Sequence, residues 1–518
     1  MFCGVIWADL AHVARSTLLN SSSLLLSFFF LFLSRTFLSV ATALGSIAVA
    51  YVIFDQLSTL RKRGNLPGPR GYIPFIGGLV EMVLDPTSFW QRQDAYGPVS
   101  WNYLAGRLMV HTTDPELSRK VLNSDSPDQL KMKVHPNAEA ILGSNNIAFM
   151  QGDPHKQLRV QLLPLFTRRA LAHYVEIQDR VTREKLNKWL SLSGEQEFRS
   201  LARELNTETS QIVFVGPYMI PEEMALFCED YQRMNEGFLS FPLNLPGTAL
   251  NKAVKARVKI VERLTVIVKK SKERMSKEGE LPGCLLDYWM EKMVKMIAEA
   301  EANGTPLPEH HDDYEIACTV LDFLFASQDA STSSLVWILS HMAEHPEILE
   351  RVREEQLQIR PQDEPVTHDQ LLQMTFTRQV IKETLRIIPP ASLVPQESQE
   401  DYQLTPEITI PKGTLITPSL WASSYYGYPE PHKYDPDRFS AERGEDTKYS
   451  KSFLVFGAGA HACIGKEYAI NHLMTFLSIM SLNADWARRK TKESDKIVFG
   501  PTLYPGDCLL TFKQKVCV

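Results

Sequence analysis

The stretch Phe453–Ala469, FLVFGAGAHACIGKEYA, decides how the rest of the chain is read. It sets glycines at 457, 459 and 465 around one cysteine, Cys463, then continues as an apolar, helix-like run. Glycine lets backbone approach a neighbouring atom closely. Backbone N–H groups aimed at a sulfur favour its thiolate form, and a helix starting at about Ile464 would add the positive end of its dipole. Phe456 offers a ring that can cover the sulfur and exclude water. Such a loop suits an anionic, iron-ligating thiolate. The other reading of the same residues is a glycine-rich loop beside a structural cysteine.

Working outward, the chain of 518 residues is 44% hydrophobic and 22% charged, which excludes a disordered or fibrous protein. A formal net charge of −6 argues against a nucleic-acid partner, whose phosphates need a basic surface. The seven cysteines are scattered, odd in number and without CxxC spacing, so they indicate neither a disulfide framework nor a zinc site. A reducing compartment follows. No linker, repeat or low-complexity run interrupts the chain after residue 75, so residues 72–518 are expected to form one catalytic domain.

Two apolar runs open the chain, Leu24–Leu33 and Phe37–Phe54. The first is too short to cross a bilayer; the second, as a helix, is about 27 Å long and is followed by Arg61–Arg63. Basic flanks stay in the cytosol. Residues 1–63 therefore read as a single-pass membrane anchor with the domain on the cytoplasmic side. The alternative is a cleaved targeting peptide, since the residues before Arg35 are Ser-rich and nearly free of acids. Residues 64–71, with the sequence NLPGPRG at Asn65–Gly71, read as a stiff hinge between anchor and domain.

Within the domain the pattern is mostly helical. Val99–Leu104 and Leu108–Thr113 read as short strands, and Ile408–Ser419 as extended pieces around a turn at Pro411–Gly413. Tyr314–Ala343 contains no Gly or Pro and is apolar nearly all round, which predicts a helix of about 30 residues buried across the domain. Pro346 fits the first turn of the next helix, and Thr375–Pro390 reads as a helix closed by Pro389 and Pro390. The expected fold is mainly α with small peripheral β-sheets. Neither strand–helix alternation nor a GxGxxG appears, so reducing electrons must come from outside the chain.

The spacing Phe456-x-x-Gly459-x-x-x-Cys463-x-Gly465 resembles the haem-binding signature of the cytochrome P450 family. Three further motifs resemble that family in its order. Ala326–Ser331, ASQDAS, matches its oxygen-binding bend; Glu383 and Arg386 match its Glu-x-x-Arg brace; Arg438 and Phe439 match its Arg-Phe segment. A surface i,i+3 ion pair is the alternative for Glu383–Arg386. The resemblance covers about Asn65 to the C-terminus. It implies the cytochrome P450 fold and haem b, with Cys463 as axial thiolate and metal ligand and Phe456, Gly459 and Gly465 around it. Electrons would come from NADPH through a separate reductase. His461 stands where the family usually has arginine, and His155 and Arg159 where many members carry Trp-x-x-x-Arg. All three are assigned to haem propionates, with packing as the alternative for His155. Ala330 replaces the usual proton-delivering threonine, so Asp329 and Ser331 are assigned to proton delivery; Ser331 could instead bond back to its own turn.

The flanks FLFASQDASTSSL and FGAGAHACIGKEYAINHL, with Thr502–Phe512, resemble the sterol C-22 desaturase branch of that family. This implies a C22–C23 double bond introduced into a sterol side chain at the endoplasmic reticulum membrane. Lys156, Lys448, Lys451 and Lys466 could dock an acidic NADPH-cytochrome P450 reductase. Candidate cavity residues are Phe323, Leu324, Ala391–Pro395 and the TLYP segment, each equally a core residue. The rival readings are a hydroxylase of another sterol, fatty acid or terpenoid, a reductase-independent isomerase, and a haem-binding sensor or carrier without turnover.

Overall fold

The apolar run in the middle of the chain folds as one helix, Asp313–Glu344, of 32 residues. Asp312 caps it, its carboxylate accepting from the N–H groups of Tyr314 at 2.9 Å and Glu315 at 3.2 Å. It stops at His345 because Pro346 cannot follow a residue in helical conformation, and the next helix, Pro346–Ile359, starts on that proline. The structure is a computed structural model describing residue 40 and residues 42–515 except 125, 127, 134, 239 and 501.

At 1.5 Å per residue the long helix spans about 48 Å. It packs against the helices Phe198–Phe214, Ala249–Met275 and Lys466–Asn483. Leu335, Ile338, Phe198, Leu264 and Phe476 belong to the large apolar core built on it. A buried polar link fixes three of these helices in register. His472 Nε2 donates to Asn206 Oδ1 at 2.7 Å, and Asn206 Nδ2 donates to Thr332 Oγ1 at 2.9 Å. Burial drives the His472 pKa down to about 4, so the imidazole is neutral.

The β component is small and peripheral, as expected. A five-stranded sheet runs in the order Val99–Leu104, Arg107–Thr112, Leu415–Pro418, Gln396–Ser398, Leu130–Met132. Only the pairing of Arg107–Thr112 with Leu415–Pro418 is parallel among these strands. The strand Leu509–Gln514 pairs with Ala484–Arg489 and Gln196–Glu197. A second pair, Ile497–Phe499 with Leu503–Pro505, lies against the long helix, where Trp337 Nε1 donates to the Leu503 carbonyl at 3.0 Å.

The N-terminal helix, Thr42–Arg63, is long and apolar enough to cross a membrane by length and composition, and Leu44, Ile47 and Phe54 on it are exposed. It runs through Arg61–Arg63, beyond the apolar run read from sequence. Leu24–Leu33 lies outside the described residues. The segment at 64–71, read from sequence as a stiff hinge, is laid against the sheet. Trp101 N–H donates to the Pro67 carbonyl at 2.8 Å, and the Arg63 guanidinium lies 4.8 Å from the Trp101 ring. A Cβ at Gly68 would come within 2.4 Å of Trp101, so glycine permits this contact.

Candidate active site

The cysteine loop is held by its own backbone. Cys463 N–H donates to the Phe456 carbonyl at 2.8 Å and Ala462 N–H to Gly459 at 3.1 Å, around a 3₁₀ turn at Gly459–His461. Gly459 has φ +71°, and a Cβ there would lie 2.7 Å from the Leu122 carbonyl oxygen. Only glycine fits. The following helix begins at Lys466 rather than Ile464. Gly465 is its N-cap residue, and the Gly465 N–H is hydrogen-bonded to the Cys463 sulfur.

Cys463 faces an internal cavity of about 410 Å³. The side chain is accessible and lines that space. Burial pushes its thiol pKa up, opposed by the Gly465 N–H and by Arg159 and Lys466. Phe456 lines the same cavity, with the Lys466 ammonium 5.7 Å from its ring. The three residues assigned to propionates are also brought there. His155 and His461 stack with ring centroids 4.1 Å apart, and Arg159 Nη1 donates to the Ala462 carbonyl at 2.9 Å.

Across the cavity the long helix contributes small side chains, Ala326, Ser327, Ala330, Ser331 and Ser334. Ser334 bonds back to the Ala330 carbonyl at 2.8 Å, whereas the Ser331 hydroxyl takes no hydrogen bond among the described residues. Asp329 does not line this cavity. Its carboxylate faces a second one, of about 860 Å³, lined by residues of Phe198–Phe214 and Pro221–Phe238. There Arg203 Nη2 donates to Asp329 Oδ1 at 2.7 Å, and Tyr504 Oη donates to the same oxygen at 3.3 Å. Burial opposes the Arg203 charge, yet Asp329 beside it keeps its pKa above the ordinary value. The long helix thus separates Asp329 from Ser331.

Glu383 and Arg386 are fully buried, which rules out the surface ion pair. Arg386 donates to both Glu383 oxygens at 2.7 and 2.8 Å, and Arg438 Nε donates to Oε1 at 3.3 Å. Asp435 N–H adds a fourth bond at 3.0 Å. The brace therefore grips the Lys433–Arg438 segment that leads into the cysteine loop, and Arg438 also donates to Glu445 at 3.3 Å.

Of the proposed wall residues, Phe323, Ala391 and Val394 line the cavity, while Leu324 is core. The C-terminal turn is turned elsewhere: Thr502 Oγ1 and Tyr504 Oη donate to the Asp329 carbonyl at 3.2 and 3.1 Å, and neither residue lines the cavity. Lys156, Lys448, Lys451 and Lys466 are all exposed, Lys451 pairing with Glu116 at 2.7 Å. Arg203 and Asp322 were not anticipated, and Tyr504, expected at the substrate cavity, stands beside Asp329 instead. Neither pairing with Asp329 has a sequence signal, since Arg203 and Tyr504 are far from it along the chain. Asp322 had one, an acid inside the apolar run VLDFLF.

Among the described residues no three His, Cys, Asp or Glu side chains gather to hold a metal ion. The model of the family described as Cytochrome P450 matches residues 66–501. The chain is a cytochrome P450. Similar proteins include Cytochrome P450 710A4 of Arabidopsis thaliana, 41% identical over 486 residues, covering 92% of this chain and 97% of that protein. The C-22 sterol desaturase erg5 of Aspergillus fumigatus is 33% identical over 485 residues, covering 89% and 92%. Among solved structures, a retinoic acid-bound cyanobacterial CYP120A1 superposes with a TM-score of 0.74 at 24% identity, covering 87% of this chain and all of that one. Membership makes this cytochrome P450 a monooxygenase-type oxidoreductase that uses haem iron under a thiolate and electrons from a redox partner. The donor set fits that group: one sulfur opposite a wall of small residues, with Arg159 and two histidines at the cavity.

Proposed function

We propose that this cytochrome P450 is a sterol C-22 desaturase, which introduces a C22–C23 double bond into a sterol side chain. The observation that carries the reading is the cavity itself. It has a thiol at one wall, alanine and serine opposite, and apolar residues such as Leu122, Met132 and Val394 beyond. An elongated apolar substrate needs such a space. Similarity to the fungal C-22 sterol desaturases, 33% and 32% identical, supports the substrate class.

In this reading Cys463 would hold the haem iron through its sulfur, and haem, when bound, would supply oxygen activation favoured by the electron-donating thiolate. Gly459 permits the loop its close approach, Gly465 directs an N–H at the sulfur, and Phe456 screens it from water. Arg159, His461 and His155 would hold the propionates. Ser331 would deliver protons into the Cys463 cavity; Asp329, assigned with it from sequence, pairs with Arg203 and Tyr504 on the far side of the long helix and has no hydrogen bond to Ser331 among the described residues. The helix Thr42–Arg63 anchors the enzyme in the endoplasmic reticulum membrane with its domain in the cytoplasm. The exposed lysines near the cysteine loop receive an NADPH-cytochrome P450 reductase.

The test incubates the purified protein with that reductase, NADPH and 24-alkyl sterols, with products identified by mass spectrometry. The expected product lacks two side-chain hydrogens, and Cys463→Ser loses both product and the red-shifted carbonyl spectrum of a thiolate-bound haem. Hydroxylated sterol as sole product, or turnover without NADPH, would refute the assignment. Ser331→Ala with unchanged turnover and no extra peroxide would remove Ser331 from proton delivery.

A further inference from the structure

Among the described residues Asp322 is the only carboxylic acid lining the Cys463 cavity, and it is 5% exposed. One loop occupies both its oxygens. Asn146 Nδ2 donates to Oδ1 at 2.5 Å, and Ile147 N–H donates to Oδ2 at 3.1 Å. Asn146 also folds that loop on itself. Its Oδ1 accepts from Ala148 N–H at 2.9 Å, and its carbonyl accepts from Phe149 and Met150 at 2.9 and 3.1 Å. Ile147, Ala148 and Gln151 of the loop are cavity wall. One carboxyl thus ties two walls together.

The charged and titratable neighbours of Asp322 are few. Arg257, from the helix Ala249–Met275, acts on it through space, while its guanidinium donates to the Cys318 sulfur, on the long helix, at 3.5 Å. Resting on the desaturase reading, we infer that Asp322 is a positioning and specificity-determining residue. Its carboxyl latches the Asn146–Gln151 wall to the long helix, so that a sterol side chain is held with two adjacent C–H groups in reach of the reacting centre.

Both reaction outcomes consume the same reagents. Hydroxylation converts one C–H, with O₂, two electrons from the reductase and two protons, into C–OH and one water. Desaturation converts H–C–C–H, with the same O₂, electrons and protons, into C=C and two waters. The second outcome wins only if the neighbouring hydrogen leaves before a C–O bond forms, a matter of positioning. A wall fixed by two hydrogen bonds to a buried carboxyl supplies that constraint, and a loosened wall favours the alcohol.

The state of the acid supports the role. Burial, partly offset by the Ile147 and Asn146 donors and by Arg257, raises its pKa to about 8. At neutral pH the group is mostly uncharged, and an apolar chain can lie against it without stripping water from an ion. As pH rises through that value the carboxyl ionises, and apolar binding weakens.

The test uses the full-length haem-loaded enzyme, a 24-alkyl sterol, and the variants Asp322→Asn and Asn146→Ala. Sterol-induced shifts of the haem absorption band give Kd between pH 6.5 and 9, and reductase-driven turnover gives the alkene-to-alcohol ratio. The wild type should bind about tenfold more weakly at pH 9 than at pH 7. Asp322→Asn should show no such dependence. Both variants should keep the thiolate carbonyl spectrum, lose about tenfold in sterol affinity at pH 7, and shift toward alcohol. A haem-loaded Asp322→Asn protein with the wild-type ratio and pH profile overturns the inference; if that variant takes up no haem, an unchanged ratio in Asn146→Ala does so. A wild type that makes no alkene refutes the desaturase reading separately, and the pH dependence of binding still decides the latch.

Discussion

Replacing Glu383 by glutamine should cost this cytochrome P450 its haem and much of its stability. In the structure Glu383 and Arg386 are 0% exposed and Arg438 is 1% exposed, so two guanidinium groups depend on one carboxylate far from water. Burial raises the Glu383 pKa, and Arg386 and then Arg438 pull it back only in part. An amide of the same shape turns an NH₂ toward a guanidinium and removes the negative charge. Arg438 keeps Glu445, but Arg386 is left with carbonyl acceptors, Ser424 at 3.2 Å and Lys433 at 3.5 Å. Breaking a buried pair from one side costs about 3–5 kcal/mol, against less than about 1 kcal/mol for an exposed pair. With a denaturant slope of about 3 kcal/mol/M or more, the urea midpoint should fall by about 1 M. Urea titration followed by tryptophan fluorescence, together with haem absorbance per polypeptide, measures both effects. A Glu383→Gln protein with wild-type midpoint and full haem content would refute the brace and return the pair to ornament.

Two further outcomes follow from the geometry. Gly459→Ala must place a Cβ 2.7 Å from the Leu122 carbonyl at φ +71°, which costs about 1–3 kcal/mol; haem absorbance per polypeptide should drop, and a variant with full haem content would contradict it. The enzyme should also be acid-labile below pH 6.5 through His341 and His472, whose pKa values burial lowers to about 3 and about 4. The unfolded chain protonates both imidazoles near pH 6.5 while the folded one does not, so unfolding binds protons and stability falls as pH drops, by up to about 2–3 kcal/mol per pH unit for the pair. Urea midpoints at pH 7, 6 and 5 for wild type and His341→Gln check the slope; equal slopes in the two proteins would contradict it.

The chain's own order determined a great deal. Glycines around Cys463, the run of residues between Asp312 and Pro346 without Gly or Pro, and the i,i+3 spacing of Glu383 and Arg386 are local features, and local sterics fix their conformation. The helix Asp313–Glu344 lies within one residue at each end of the run read from sequence. Tertiary structure decided what these elements face. A single turn of one helix sends Ser331 into the cavity with Cys463 and Asp329 into another, because side chains two apart diverge on a helix and because Arg203 and Tyr504 arrive from distant parts of the chain. Burial of the Glu383 cluster, and the Asn146–Asp322 latch across 176 positions, likewise depend on which segments meet. A residue's chemistry is written in its type, but its dielectric surroundings and partners exist only once the chain has packed.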